Sequence, residues 1–221
     1  MKRILIAWSS GKDSAWSLHR LRQSGEFEIA GLLTTFNAAF DRAAMHAVRH
    51  ELVRAQAAAA GLPLRAIPLP WPCSNADYES IMAEVCRTAA DEGIEAMAFG
   101  DLFLTDIRAY RERQLSGTGI EPLFPLWEIP TDRLAREMIA GGLRARLTCI
   151  DPRKLPREFA GREFDRELLT ELPSSVDPCG ENGEFHSFVY DGPMFTAPIA
   201  IEAGEVVERD GFVFADLLAA I

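Results

Sequence analysis

The chain has 221 residues, 48% of them hydrophobic, enough to bury a sizeable core as one large domain or as a domain of about 130 residues with a smaller companion. A net charge of −10 argues against a protein that grips nucleic acid by bulk phosphate neutralisation. The four cysteines, Cys73, Cys86, Cys149 and Cys179, form no C-x-x-C pair, so zinc-knuckle and iron–sulfur readings fall away; with no signal peptide and no apolar run of about 18 residues, a cytoplasmic protein with reduced thiols and no membrane partner is expected.

The apolar run Ile4-Leu5-Ile6-Ala7-Trp8 reads as a strand, and Ser9-Ser10-Gly11-Lys12-Asp13-Ser14 follows it directly, ahead of a helical pattern. A strand feeding a glycine-bearing loop and then a helix aims backbone N–H groups and the positive helix end at one spot, which suits an anion. Lys12 adds a full charge there. A Walker loop is excluded by spacing, since Ile6 stands where its first glycine belongs and Asp13 where its Ser or Thr belongs.

Ala15, Leu18 and Leu21 step along a helix that ends near Gly25, and residues 27–35 read as a second strand. Met45, Val48, Leu52, Ala55 and Ala59 mark a second helix closed by Gly61 and Pro63. Residues 64–69 read as a third strand. Tyr78, Ile81, Val85 and Ala89 continue in a helix capped by Asn75 or Asp77, before a fourth strand over 96–99 that ends in Gly100-Asp101. The order βαβαβαβ predicts an α/β fold, a doubly wound parallel sheet with helices on both faces. Ligands of such sheets gather at the carboxyl ends of the strands, which brings the 9–14 loop, the 35–44 segment and Gly100-Asp101 around one crevice.

From residue 129 the texture changes to a helix over 132–140, a strand over 146–150, a proline-containing loop, a helix over 162–172 and short strands. A boundary near Trp127 divides the chain into residues 1–127 and a smaller α+β domain, 128–221. Within 177–193, Asn182-Gly183 is a tight-turn signal and Phe185 opens a strand-like run, so the plain reading is a hairpin with a polar tip. In an extended chain Glu184 and His186 face one side, with Glu181 across the turn, a set suited to a metal, a cation or an amine.

Other residues carry weaker signals. His46 and His50 have a metal-compatible spacing, but Ala47 stands where the glutamate of H-E-x-x-H belongs, and a solvent-facing His46 is favoured over a nucleotide contact. Arg108, Arg111 and Arg113 fit phosphate or carboxylate contacts and a solvated helix equally well. Trp71 and Trp127, each beside proline, are expected to pack between the domains, and Asp151, Arg153 and Lys154 to form an ordinary charged turn.

The hexapeptide 9–14 resembles the S-G-G-x-D-S pyrophosphate loop of the PP-loop ATP pyrophosphatases, with Ser10 in place of the first glycine. The wider pattern of this loop, Gly100-Asp101 with Arg108 and Arg111, the run Pro122-Leu123-Phe124-Pro125-Leu126-Trp127 and the late G-E-N-G-E-F-H-S-F-V-Y-D-G-P is similar to the diphthine-ammonia ligase branch of those proteins. The resemblance implies a HUP-like PP-loop fold, with ATP and Mg²⁺ as cofactors. It implies cleavage of ATP to AMP and pyrophosphate, and conversion of an acceptor carboxylate to an amide by ammonium. The acceptor would be a modified histidine on an elongation factor 2-like protein or another carboxylate, and a homodimer is compatible with it.

Carried onto this sequence, Ser9, Ser10, Gly11, Lys12, Asp13, Ser14, Gly100 and Asp101 bind the nucleotide. Lys12, Asp13, Glu181, Glu184 and His186 are catalytic, with Lys12 neutralising departing pyrophosphate and Glu184 or His186 receiving ammonium or its proton. Asp13 is the Mg²⁺ ligand, with Asp101 and the Glu181/Glu184 pair as further carboxylates. The eukaryotic pattern runs closer to G-E-G-G-E-Y-E-T; Asn182, Phe185, His186 and Ser187 depart from it and remove one acidic group. Two other readings stay open, a tRNA-modifying PP-loop enzyme and a non-catalytic adenine-nucleotide sensor.

Overall fold

The computed structural model describes residues 1–39, 48–220 and the backbone of 42–43. Its first sheet has five parallel strands, β1 (Lys2–Ala7), β2 (Phe27–Asn37), β4 (Leu64–Leu69), β5 (Ala96–Ala98) and β6 (Glu121–Leu123), in the spatial order β4-β2-β1-β5-β6. The short β3 (Arg42–Ala43) pairs antiparallel with the end of β2. On β1, Ile4, Leu5 and Ile6 are all fully buried because helices cover both faces. Ile4 and Ile6 join a cluster with residues of α1 (Lys12–Ser24) and α2 (His50–Ala60), whereas Leu5 joins Met82 and Cys86 of α3 (Asn75–Asp91) and Leu115 of α4 (Thr105–Leu115). This is the doubly wound fold expected from the sequence.

After α5 (Thr131–Ala140) comes a second, antiparallel sheet in the order β8-β7-β10-β9, built from β7 (Arg144–Ile150), β8 (Phe185–Asp191), β9 (Ile201–Arg209) and β10 (Phe212–Ala219). A 3-10 turn at Arg157–Phe159 and α6 (Arg166–Glu171) lie in the connection between β7 and β8. Among the described residues no helix is long and apolar enough to cross a membrane.

Several local expectations are corrected. Asn182-Gly183 does not close a tight hairpin, because β8 pairs with β7 across the long connection 151–184. The amides of Cys179 and Glu181 are taken by the Asp177 carboxylate and so do not enter a ladder. The cap of α3 is Ser74, whose hydroxyl accepts from Asp77 N at 3.1 Å while Asp77 Oδ2 accepts from Ser74 N at 3.2 Å, a reciprocal box in which Asp77 is the inner partner. α6 starts at Arg166 rather than near 162, because Glu163 bridges to Arg146 and Asp165 caps the helix through Leu168 N. Trp71 is 65% exposed, against the expectation of a packed side chain, and Trp127 lies against Phe124. His46 and Met45 lie outside the described residues; His50 is buried and stacks on Phe36 with ring centroids 4.5 Å apart.

Candidate active site

The chain runs outward from β1 through β2 to β4, then crosses to β5 on the other side of β1, so the strand order reverses between β1 and β5. That is where open α/β sheets hold ligands. The loop after β1 and the loop after β5 meet closely there: a Cβ on Gly100 would sit 2.9 Å from Asp13 C and Ser14 N.

Ser10 adopts φ +68, the left-handed conformation that the first glycine of an S-G-G loop supplies without strain. Its carbonyl is clamped by Gln56 Nε2 at 2.9 Å and by Val189 N at 3.1 Å. Gln56, fully buried on α2, also donates to Val189 O at 2.6 Å and accepts from Trp8 Nε1 at 2.8 Å, so one amide ties the loop to both sheets. Gly11 caps α1 without a side chain; a Cβ there would lie 3.2 Å from Ser187 O, so glycine lets β8 back onto the loop. Lys12 N donates to Ser187 Oγ at 3.2 Å, and Ser14 Oγ donates to Gly11 O at 3.0 Å and lies 3.1 Å from Ser9 Oγ.

The turn 177–184 closes over Lys12. The Lys12 ammonium, 3% exposed, donates to the Cys179 carbonyl and to Asp13 Oδ2 at 2.8 Å, with the Phe185 and Phe164 rings 5.4 and 5.8 Å away. Asp177 Oδ1 accepts from Cys179 N at 2.9 Å and Glu181 N at 3.2 Å, and its Oδ2 accepts from Thr131 Oγ1 at 2.5 Å. Glu181 Oε1 accepts from Leu102 N at 2.8 Å, reaching from the turn to the loop after β5. Glu184 Oε1 accepts from Asp177 N and Asn182 Nδ2, both at 3.3 Å, while its buried Oε2 has no hydrogen-bond partner. Asp151 is buried and bidentate with Arg153, and its N–H donates to Glu184 O, so the charged turn at 151–154 props the same segment.

The electrostatics follow from this enclosure. Burial alone would drive the Lys12 pKa down, but Asp13, Cys179 and Glu181 outweigh it and hold it above the ordinary lysine value. Burial pushes Asp13 up against the pull of Lys12, and its Oδ1 is buried without a hydrogen-bond partner. Burial, opposed by the Leu102 N–H and reinforced by Asp13, raises Glu181 to about 7, where a carboxylate can exchange protons at neutral pH. Burial and the Lys12 charge lower His186 to about 4, leaving a neutral imidazole that is a weak base. Phe185 and Ser187 both face Lys12, so by strand alternation His186 projects to the other face of β8.

The structure therefore gathers Ser9, Ser10, Gly11, Lys12, Asp13, Ser14, Gly100, Asp101 and Glu181, with Glu184 one step behind through Asp177. Ser9, Asp13, Asp101 and Glu181 remain partly open at the crevice, while Ser10, Lys12 and Ser14 are buried. Gln56, Asp177 and Phe164 are absent from the sequence-based expectations, and Phe185 and Ser187 enter them as departures from the family pattern rather than as site residues. Of these, Asp177, Phe185 and Ser187 lie in the polar stretch 177–187, whereas nothing local marks Gln56 or Phe164. Arg111 pairs with Asp101 at 3.5 Å and lies over Phe99, while Arg108 pairs with Glu112 and lies over Phe124 and Trp127. Among the described residues no three His, Cys, Asp or Glu side chains converge as a ready metal cage. The expected Mg²⁺ thus has no preformed protein-only site, although the orphaned Asp13 oxygen fits an ion held by one carboxylate plus phosphates. Two cavities of about 250 and 400 Å³ open along β9 and β10, and neither is lined by residues of the 9–14 loop or the 177–184 turn.

Comparison with known proteins gives a consistent family. The profile of the diphthamide synthase N-terminal domain matches residues 1–122, and that of the diphthamide synthase C-terminal domain matches residues 130–215. Proteins named diphthine–ammonia ligase from Bos taurus and Homo sapiens are each 26% identical, covering 96% of this chain and 88% of theirs. One from Schizosaccharomyces pombe is 26% identical over 94% of this chain and 37% of its own length. A solved structure described as a predicted subunit of tRNA methyltransferase from Methanocaldococcus jannaschii aligns with a TM-score of 0.42 at 16% identity, covering 87% of this chain and 100% of that one, too slight a likeness to inform fold or function.

Proposed function

The chain belongs to the diphthamide synthase family, and on that premise we propose that it is an ATP-dependent, AMP-forming amide ligase of the diphthine–ammonia type. The observation that carries this reading is the meeting of the two ends of the chain, where the 177–184 turn sets a carbonyl and a carboxylate of pKa about 7 against the anion-binding loop. We place the domain boundary near Trp127, with residues 1–127 holding the nucleotide and 128–221 supplying the turn.

In this mechanism the β and γ phosphates lie against the amides and hydroxyls of 9–14, and the Lys12 ammonium exchanges the Cys179 carbonyl for phosphate as charge grows on departing pyrophosphate. Mg²⁺, when bound to Asp13 and the phosphates, would neutralise part of that charge. The acceptor carboxylate attacks the α phosphorus and displaces pyrophosphate, leaving an acyl adenylate; ammonia then attacks the acyl carbon and displaces AMP, forming the amide. Glu181 takes the proton that separates ammonium from ammonia, a role for which His186, at about 4, is too weak a base. The acceptor is an elongation factor 2-like protein in the cytoplasm. The test is α-labelled ATP with ammonium chloride and elongation factor 2 from cells lacking this chain. AMP release that requires both supports the proposal, and AMP release that requires tRNA instead, or no release, rejects it.

A further inference from the structure

The turn that covers Lys12 has an unusual keystone. The Asp177 carboxylate offers both oxygens to the protein itself: Oδ1 to Cys179 N and Glu181 N, and Oδ2 to the hydroxyl of Thr131, the first residue of α5. A second tie runs the same way, from Cys179 Sγ to Thr131 O at 3.4 Å. The Asp177 N–H is held in turn by Glu184 Oε1. Gly180, at φ +71, has room for no Cβ, since one would sit 2.9 Å from Phe185 O, so the turn is pressed onto β8 as well.

Both Asp177 oxygens are engaged by protein donors, and the turn that carries the Cys179 carbonyl and Glu181 is folded around this carboxylate. We propose that Asp177 is a positioning residue of the ligase reaction, folding 177–184 so that the Cys179 carbonyl meets the Lys12 ammonium and the Glu181 carboxylate meets the Leu102 amide. The assignment of a role in catalysis rests on the ligase reading above; the assignment of a role in placing Glu181 does not. Thr131 ties the keystone to the first turn of α5, whose Glu137 accepts from Trp16 Nε1 and Arg20 Nη1 of α1, so the turn is referenced to a packed helix rather than to solvent.

The experiment pairs kinetics with an amide signal. Asp177→Ala removes the acceptor of two N–H groups and lets Glu181 drift, so kcat for AMP release from ATP, ammonium chloride and elongation factor 2 is expected to fall about 100-fold, with KM for ATP changing only a few-fold because the 9–14 amides are untouched. Asp177→Asn keeps an oxygen for both amides and is expected to restore most of kcat. Thr131→Val, which removes only the hydroxyl donor, should fall between them. In ¹⁵N–¹H spectra the Leu102 amide should lose its hydrogen-bonded shift in Asp177→Ala and keep it in Asp177→Asn. An unmoved Leu102 amide in Asp177→Ala, or in Thr131→Val if the alanine variant does not fold, would overturn the positioning role, as would wild-type kcat in either. Wild-type protein that releases no AMP would instead reject the ligase reading, and the Leu102 signal would still decide whether Asp177 places Glu181.

Discussion

Replacing Ser10 by glycine restores the pattern of the S-G-G loop and exposes what the serine is for. Ser10 holds φ +68, which for an L-residue costs roughly 1–2 kcal/mol. Its hydroxyl is buried without a hydrogen-bond partner, a further cost of about 1–3 kcal/mol. Against these stand about 0.4–1 kcal/mol for the extra freedom of glycine in the unfolded chain and about 0.8 kcal/mol for one lost buried carbon. The net expectation is stabilisation by about 2 kcal/mol, read as a rise in melting temperature of roughly 4–8 °C for a chain of this size. The clamp on the residue 10 carbonyl from Gln56 and Val189 is unaffected, because it involves only the backbone oxygen. If the hydroxyl is kept for a phosphate oxygen, ATP affinity measured by calorimetry should fall about tenfold in the same variant. A melting temperature that is unchanged or lowered would refute the strain argument, and unchanged ATP affinity would remove the hydroxyl from the phosphate site.

Lys12→Ala should abolish AMP release and also destabilise the fold by about 3–5 kcal/mol, since it leaves Asp13 unpaired in a buried setting; Lys12→Met, which keeps the volume between Phe164 and Phe185, should abolish AMP release with a smaller loss, both read by calorimetric unfolding and labelled-ATP assay. The acidic limb of kcat/KM should lie near pH 7 and disappear in Glu181→Gln, whereas His186→Asn should leave it in place. Because Glu181 holds its proton more tightly folded than unfolded, its contribution to stability is complete below about pH 4.5 and is lost as pH rises through about 7; denaturant titrations of wild type and Glu181→Gln should converge at acid pH in that sense. Gly100→Ala should cost about 1–3 kcal/mol, because its Cβ would press on the backbone of Asp13 and Ser14, and an undiminished denaturation midpoint would contradict the close approach of the two loops.

The sheet was readable because strands buried on both faces appear as unbroken apolar runs, as Ile4-Leu5-Ile6 does, and because Gly25 and Gly61 end their helices in the left-handed region, at φ +65 and +64. β6 was not readable. It is three residues long with Pro122 at its centre, and only pairing with β5 makes it a strand. The anion loop was readable because its residues are contiguous. Gln56 and Ser187 were not, since nothing local separates a buried glutamine on α2 from a solvated one, and their roles exist only through contacts with Ser10 and Lys12 far away in sequence. The late turn was visible as chemistry but misread as a hairpin, because a side chain that captures amides, as Asp177 does, competes with strand pairing without leaving a periodic signal.

The most direct measurement is a crystal structure of the chain with an ATP analogue that resists cleavage between the α and β phosphates. The account predicts β and γ phosphates against the amides of Ser10 to Ser14, the Lys12 ammonium turned from the Cys179 carbonyl to a phosphate oxygen, and Glu181 beside the α phosphorus. A nucleotide bound elsewhere, for instance in the cavity lined by Arg49 and Phe214, with Lys12 still on Cys179, would contradict it.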